Sequence, residues 1–146
     1  MVAVVVTAAA LLLRSRPATI LGLALMSLLA GSAWPVVESG RSSYVDVRQL
    51  ADEEGKALLK HHMVLAERWE KLYYATTAAA ALGLFAARKW PRGFRPLAML
   101  AVLLAAGCLA AGTVIAEAGG RIRHPEFRPG PAPAGQPDSN AEHHTH

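Results

Sequence analysis

A chain of 146 residues has room for one domain, and its 53% hydrophobic content is gathered into blocks that call for lipid instead of being spread with a surface period. A net charge of +4 and a pI near 9.6 do not make a nucleic-acid binder, because the cations flank apolar spans and are not collected along one groove-forming face. The single cysteine, Cys108, lies in an apolar run, which excludes an internal disulfide and suits a small buried hydrophobe.

The first block, Val2 to Leu13, is apolar apart from Thr7 and predicts a helix over 2–13. It is shorter than the roughly 20 residues that cross a hydrocarbon core. Either the translation start is placed too late, or this helix is tilted, thin or partly buried by its neighbours. Arg14-Ser15-Arg16-Pro17 stops it, and Pro17 fits the first turn of a second helix, where a missing N–H costs nothing. Residues 18–37 carry no charge and are long enough to span, with Trp34 and Pro35 marking the exit at headgroup level. Arg14 and Arg16 before a Leu-rich core, with Gly31-Ser32-Ala33 beyond it, resemble a secretory signal and its cleavage site. A signal's basic region belongs at the very N-terminus, however, and here an apolar block precedes it, so the span is expected to be retained.

Glu38 to Lys71 is polar, with Ser39-Gly40-Arg41-Ser42-Ser43 read as a loop from its small and polar residues. A third helix is expected over 52–88, opened by Asp52-Glu53-Glu54 at the positive end of its dipole and weakened locally by Gly55. Leu58, His62, Leu65, Trp69, Leu72 and Thr76 recur at four- and three-residue steps and line one face of it. Charges crowd the other faces as far as Lys71 and are then absent until Arg88, so this helix stands in water and enters the bilayer. Trp69, Tyr73 and Tyr74 cluster at the crossing point, as amphipathic rings do at membrane interfaces.

Arg88, Lys89, Arg92 and Arg95 fill the next connection without an acid among them. A fourth helix is expected over 97–118, its small residues Ala101, Ala105, Cys108 and Gly112 allowing close approach of a neighbour, and Gly119-Gly120 ending it with a positive φ. The basic loops put Arg14, Arg16, Arg88, Lys89, Arg92 and Arg95 on the cytoplasmic side, and the polar segment and C-terminal tail outside, although Arg121, Arg123 and Arg128 oppose this. Residues 129–146, with four prolines and His143, His144 and His146, are expected to be a disordered tail.

The run Ala116-Glu117-Ala118-Gly119-Gly120-Arg121-Ile122-Arg123-His124-Pro125-Glu126, together with His61 or His62 and Trp69, resembles an uncharacterised family of small bacterial integral membrane proteins. The likeness covers about residues 18–128. It implies a four-helix plan, a polar segment with His between the second and third helices, and a Gly-Gly motif just after the fourth. Where that family's motif continues through a valine-tyrosine or similar pair, this chain has Ile122-Arg123-His124-Pro125, and the family label names no reaction.

Four crossings would gather His61, His62, Glu117 and His124 at the outer surface. Two histidines from different helices can ligate a b-type haem, and with Glu117 they can hold copper or zinc. Met63 points away from the His62 stripe, which disfavours a His/Met pair. The plainer role for His62 is a hydrogen bond to a carboxylate or backbone carbonyl that ties the wet helix to the end of the fourth span. His124 would then pack on Pro125, and Glu117 would accept from an N–H or an arginine. The chain has no Gly-rich phosphate loop, nucleophile elbow or His-Glu-x-x-His pair, and the adjacent Glu53 and Glu54 point to different faces.

The expectation is therefore an all-α integral membrane four-helix bundle over residues 1–128, with a helical extension outside the bilayer and a disordered tail. It would cross a bacterial inner membrane several times and act, without enzymatic activity, as a structural or accessory subunit packed on lipid and other membrane proteins. The alternatives are a haem b electron-transfer protein using His62 and His124, and a transition-metal protein using His61, His62, Glu117 and His124 or the tail's His143, His144 and His146.

Overall fold

A computed structural model describes residues 1–123, and every regular element in them is an α-helix: α1 (Val2–Leu12), α2 (Arg16–Gly31), α3 (Ala33–Leu50), α4 (Glu53–Lys89) and α5 (Pro91–Arg123). Ser32 keeps right-handed helical angles (φ −66°, ψ −10°), so α2 and α3 run on as one rod and the described residues form four rods. The chain reverses at each of the three remaining connections, and α4 packs chiefly on α5 and α2, with α1 against α2 and α5.

The first reversal rests on Arg14, whose φ of 56° makes it the one non-glycine among the described residues in the left-handed region. The Ser15 amide reaches back to the Ala10 carbonyl (2.8 Å) and the Arg14 amide to Leu11 (3.2 Å), the paired bonds that satisfy a helix's last carbonyls. At the next, Asp52 caps α4 by accepting from the Gly55 amide at 2.9 Å, with Glu53 and Glu54 in the first turn and Arg88 and Lys89 in the last, as the helix dipole favours.

The core is made of small side chains. Ala79, Ala80, Ala86 and Ala87 of α4 cluster with Ala98, Ala101 and Ala105 of α5 and with Leu23 and Met26 of α2, while Cys108 and Ala111 are buried further along α5. A side chain at Gly22 would run into Thr7 of α1, and one at Gly83 would sit 3.0 Å from Leu23. Backbones therefore approach closely, which is how helices associate where no water is available to drive them together. The buried hydroxyls of Thr7, Thr19 and Thr76 return to carbonyls four residues back at 2.6 to 2.8 Å, so none lacks a partner.

Four sequence expectations are corrected. The Ser39–Ser43 loop is helical, lying inside α3, because Arg41 there is held from α4 by carboxylates. Trp34 and Pro35 do not close the helical rod: Pro35 falls in the first turn of α3, just past the junction at Ser32, a position at which a helix tolerates proline. The last helix starts at Pro91, six residues early, with Pro at its first position and Pro96 carried inside. Gly119 and Gly120 do not stop it, since the helix runs through both to Arg123 without a positive φ. The expected tail and its histidines, with His124, lie outside the described residues.

Two rods are long and apolar enough to cross a membrane: Arg16–Leu50, with a mean hydropathy of 1.9, and Pro91–Ile122, with 2.3. α1 is shorter, at 11 residues, and α4 is charged over its first half.

Candidate functional site

Rod reversal places the start of α4 and the end of α5 together, away from the basic connections, and there the conspicuous side chain of the sequence, His62, meets α5. Its Nδ1 lies 3.0 Å from the Ile115 carbonyl oxygen. A carbonyl only accepts, so Nδ1 carries the proton and donates, and Nε2 is left to accept in the neutral ring. The ring stands over Gly119, where a Cβ would come within 3.1 Å of Cε1 and 3.3 Å of Nδ1.

The same arrangement recurs three turns deeper. Tyr73 Oη donates to the Cys108 carbonyl at 3.0 Å, and a Cβ at Gly112 would lie 3.2 Å from that oxygen. In both cases a donor on α4 reaches an α5 carbonyl, and the residue four positions beyond that carbonyl is glycine. A helical carbonyl points toward the residue four ahead, so a glycine there uncovers its second lone pair. Thr76 adds a third contact, its Oγ1 standing 3.2 Å from Cys108 Sγ. His62 and Tyr73 thus pin α4 to α5 at two heights.

Beside this seam α3 and α4 enclose a cavity of about 460 Å³, apolar for the most part, with His62, Tyr73, Tyr44 and Glu70 among its polar-tipped walls. Its rim is an ion cluster. Arg41 Nε lies 3.3 Å from Glu67, its Nη2 3.1 Å from Glu70, and its Nη1 3.7 Å from Glu38. The hydrogen bond that Arg41 donates to Glu67, followed by the charge of Glu70, raises the guanidinium pKa above its ordinary value against the opposing effect of desolvation.

The other expected site residues do not converge on His62. His61 is exposed on another face of α4, and Glu117 pairs along its own helix with Arg121 at 2.6 Å. No group of three His, Cys, Asp or Glu among the described residues is placed to hold a metal ion. His124, His143, His144 and His146 lie outside the described residues, so the second haem ligand and the tail's metal ligands are not placed. The sequence reading named Arg41, Tyr73 and Gly112 but missed the bridge of Arg41, the hydrogen bond of Tyr73 and the carbonyl-baring role of Gly112. Glu67 and Glu70, three apart on one helix, were the available sign that a cation would be needed opposite.

Comparison of the chain with protein-family models, with curated proteins and with solved structures found no match.

Proposed function

We propose that the chain is a small multi-pass protein of a bacterial inner membrane, crossing four times and serving as a structural or accessory subunit. The observation that carries this reading is a girdle of exposed apolar side chains between two polar ends. Leu21, Leu28, Leu82, Phe85, Met99 and Leu103 are each more than half exposed. A patch of that extent on a water-soluble monomer would be an aggregation hazard. Trp69 and Trp90 bound the girdle 21 positions apart on and just beyond α4, about 30 Å at ~1.5 Å per residue, the thickness of a hydrocarbon core. Tryptophan belts mark such boundaries.

Arg14, Arg16, Arg88, Lys89, Arg92 and Arg95 belong to the end where α1 and α4 finish and α2 and α5 begin. By the bias of short cytoplasmic loops toward cations, that end is the inner one. The α4–α5 seam spends its polar groups on tying helices together, which suits a scaffold. The resemblance to small bacterial membrane proteins agrees with the same plan.

Cysteine labelling tests it. In a Cys108→Ser background, a membrane-impermeant maleimide added to intact cells should modify Lys60→Cys and spare Arg92→Cys. The reverse pattern would invert the topology, and equal modification of Phe85→Cys in the girdle would refute the embedding. As a subunit, the tagged chain should migrate on native gels well above its 15.5 kDa mass at one fixed stoichiometry. A monodisperse monomer would remove the accessory role.

A further inference from the structure

Two cavities meet at the basic end, between α1 and α5, and they differ in chemistry. One, of about 240 Å³, is lined by Arg14, Arg16 and Arg95 with Thr19 and Phe94. The other, of about 480 Å³, runs down the outside of the bundle between Leu11 and Leu12 on one wall and Met99, Val102 and Leu103 on the other. Leu11, Arg14 and Arg95 line both, so the two form one continuous cleft with a cationic mouth and an apolar shaft.

No described acid neutralises the cations at the mouth. Residues 1–37 and 71–116 contain no Asp or Glu, and no ion pair among the described residues involves Arg14 or Arg95. Arg16 is held in place, donating through Nη2 to the Ala87 carbonyl with its guanidinium 5.9 Å from the Phe94 ring centroid. Arg14 sits in the left-handed conformation that glycine would take without strain. Backbone strain of this kind gathers at ligand clamps, where the side chain is worth its conformational cost.

The geometry points to a binding site for one anionic phospholipid of the inner leaflet, its phosphate between Arg14 and Arg95 and an acyl chain along Leu12, Met99 and Leu103. Charge complementarity selects the headgroup, and basic clefts between membrane helices on the cytoplasmic side recognise such lipids. The apolar shaft is what selects a lipid over a free phosphate, since an inorganic anion would leave it empty. This site rests on the membrane reading above, and its test separates the two.

The full chain, purified in mild detergent, is titrated with phosphatidylglycerol or phosphatidylcholine and followed by native mass spectrometry. One phosphatidylglycerol per chain should be retained in preference to phosphatidylcholine. Arg14→Gln with Arg95→Gln should weaken that retention roughly tenfold. Lys89→Gln with Arg92→Gln removes the same charge from the same end without touching either cavity, and should leave retention within about twofold of the parent. Equal losses in both pairs would show diffuse surface attraction and overturn the site, as would full displacement of the lipid by millimolar inorganic phosphate. Indifference between the two lipids, in a chain that still resists alkaline extraction from membranes, would overturn the site and leave the membrane reading standing. Release by alkali would overturn both.

Discussion

His62 and Gly119 act as one device, and its energetics set two opposing effects against each other. Replacing a helical glycine by alanine gains about 1 kcal/mol of helix propensity. At Gly119 the added methyl would press within 3.1 Å of the imidazole and push Nδ1 off the Ile115 carbonyl, giving up a hydrogen bond worth about 0.5–1.5 kcal/mol together with local packing. Gly119→Ala should therefore be neutral or destabilising in the parent chain and stabilising by about 1 kcal/mol in a His62→Ala background. Denaturant unfolding in detergent, run as a double-mutant cycle, measures the difference. The same effect in both backgrounds would mean that the ring and the glycine are not coupled.

Also at this scale, Glu53 accepts from Lys56 at 2.6 Å, and that contact holds its carboxyl below the usual carboxylate range. A lowered folded-state value means that the contact supports α4 above the ordinary carboxylate range. The support is lost as pH falls through the lowered value. Protection of the Gly55 to Ala57 amides, corrected for intrinsic exchange, should fall across that acid window, and Lys56→Gln should flatten the dependence. An unchanged profile in Lys56→Gln would assign the effect to another group.

Among the elements, α3 stands apart because it buries none of its residues. It is helical where its serines and Gly40 suggest a loop, and Arg41 supplies the reason by bridging to Glu67 and Glu70. Arg41 is 37% exposed and Glu70 15%, so the pair is a partly exposed one, weakened by solvent screening. A helix without a buried face has little else to hold it. Arg41→Ala should increase amide exchange through Ser39 to Val47 several-fold while leaving α4 and α5 protected, and Arg41→Lys should recover only part because ammonium cannot fork to two carboxylates. Exchange in α3 that ignored Arg41 would mean the cavity's apolar wall holds it alone. α1 and α2 are joined differently, through the absence of a side chain at Gly22 where Thr7 crosses.

Over the whole molecule, stability is graded along the bundle. The Ala-rich contact of α4 with α5 fills the half nearer the basic connections, His62 and Tyr73 pin the half nearer the start of α4, and α3 packs beside α4. Native-state hydrogen exchange should rank accordingly: slowest in Thr76 to Ala87 and Ala98 to Ala111, intermediate near His62, fastest in α3. Slower exchange in α3 than at the α4–α5 contact would contradict this order. The two ends differ in charge, since among the described residues the acids lie at the His62 end and Arg14 and Arg95, with no ion pair, at the other.

Periodicity and block composition alone determined that the described residues are chiefly helical, that small residues at Ala101, Ala105 and Cys108 mark a packing face, and that His62 belongs to the stripe running to Thr76. Those signals survive because helical spacing is a local property, repeated every turn whatever the neighbours do. Glycine, serine and proline have no fixed meaning of that kind. Ser39 to Ser43 are helix, with carboxylates from α4 reaching Arg41, and Gly119 is helix, with an imidazole from another rod in the space above it. The pairing of His62 with Ile115, the matching bond of Tyr73 to Cys108, and the cleft shared by Arg14 and Arg95 join positions 35 to 81 apart in sequence. Which groups meet across such distances depends on how the rods reverse and how closely their backbones approach, and only the tertiary structure decided that.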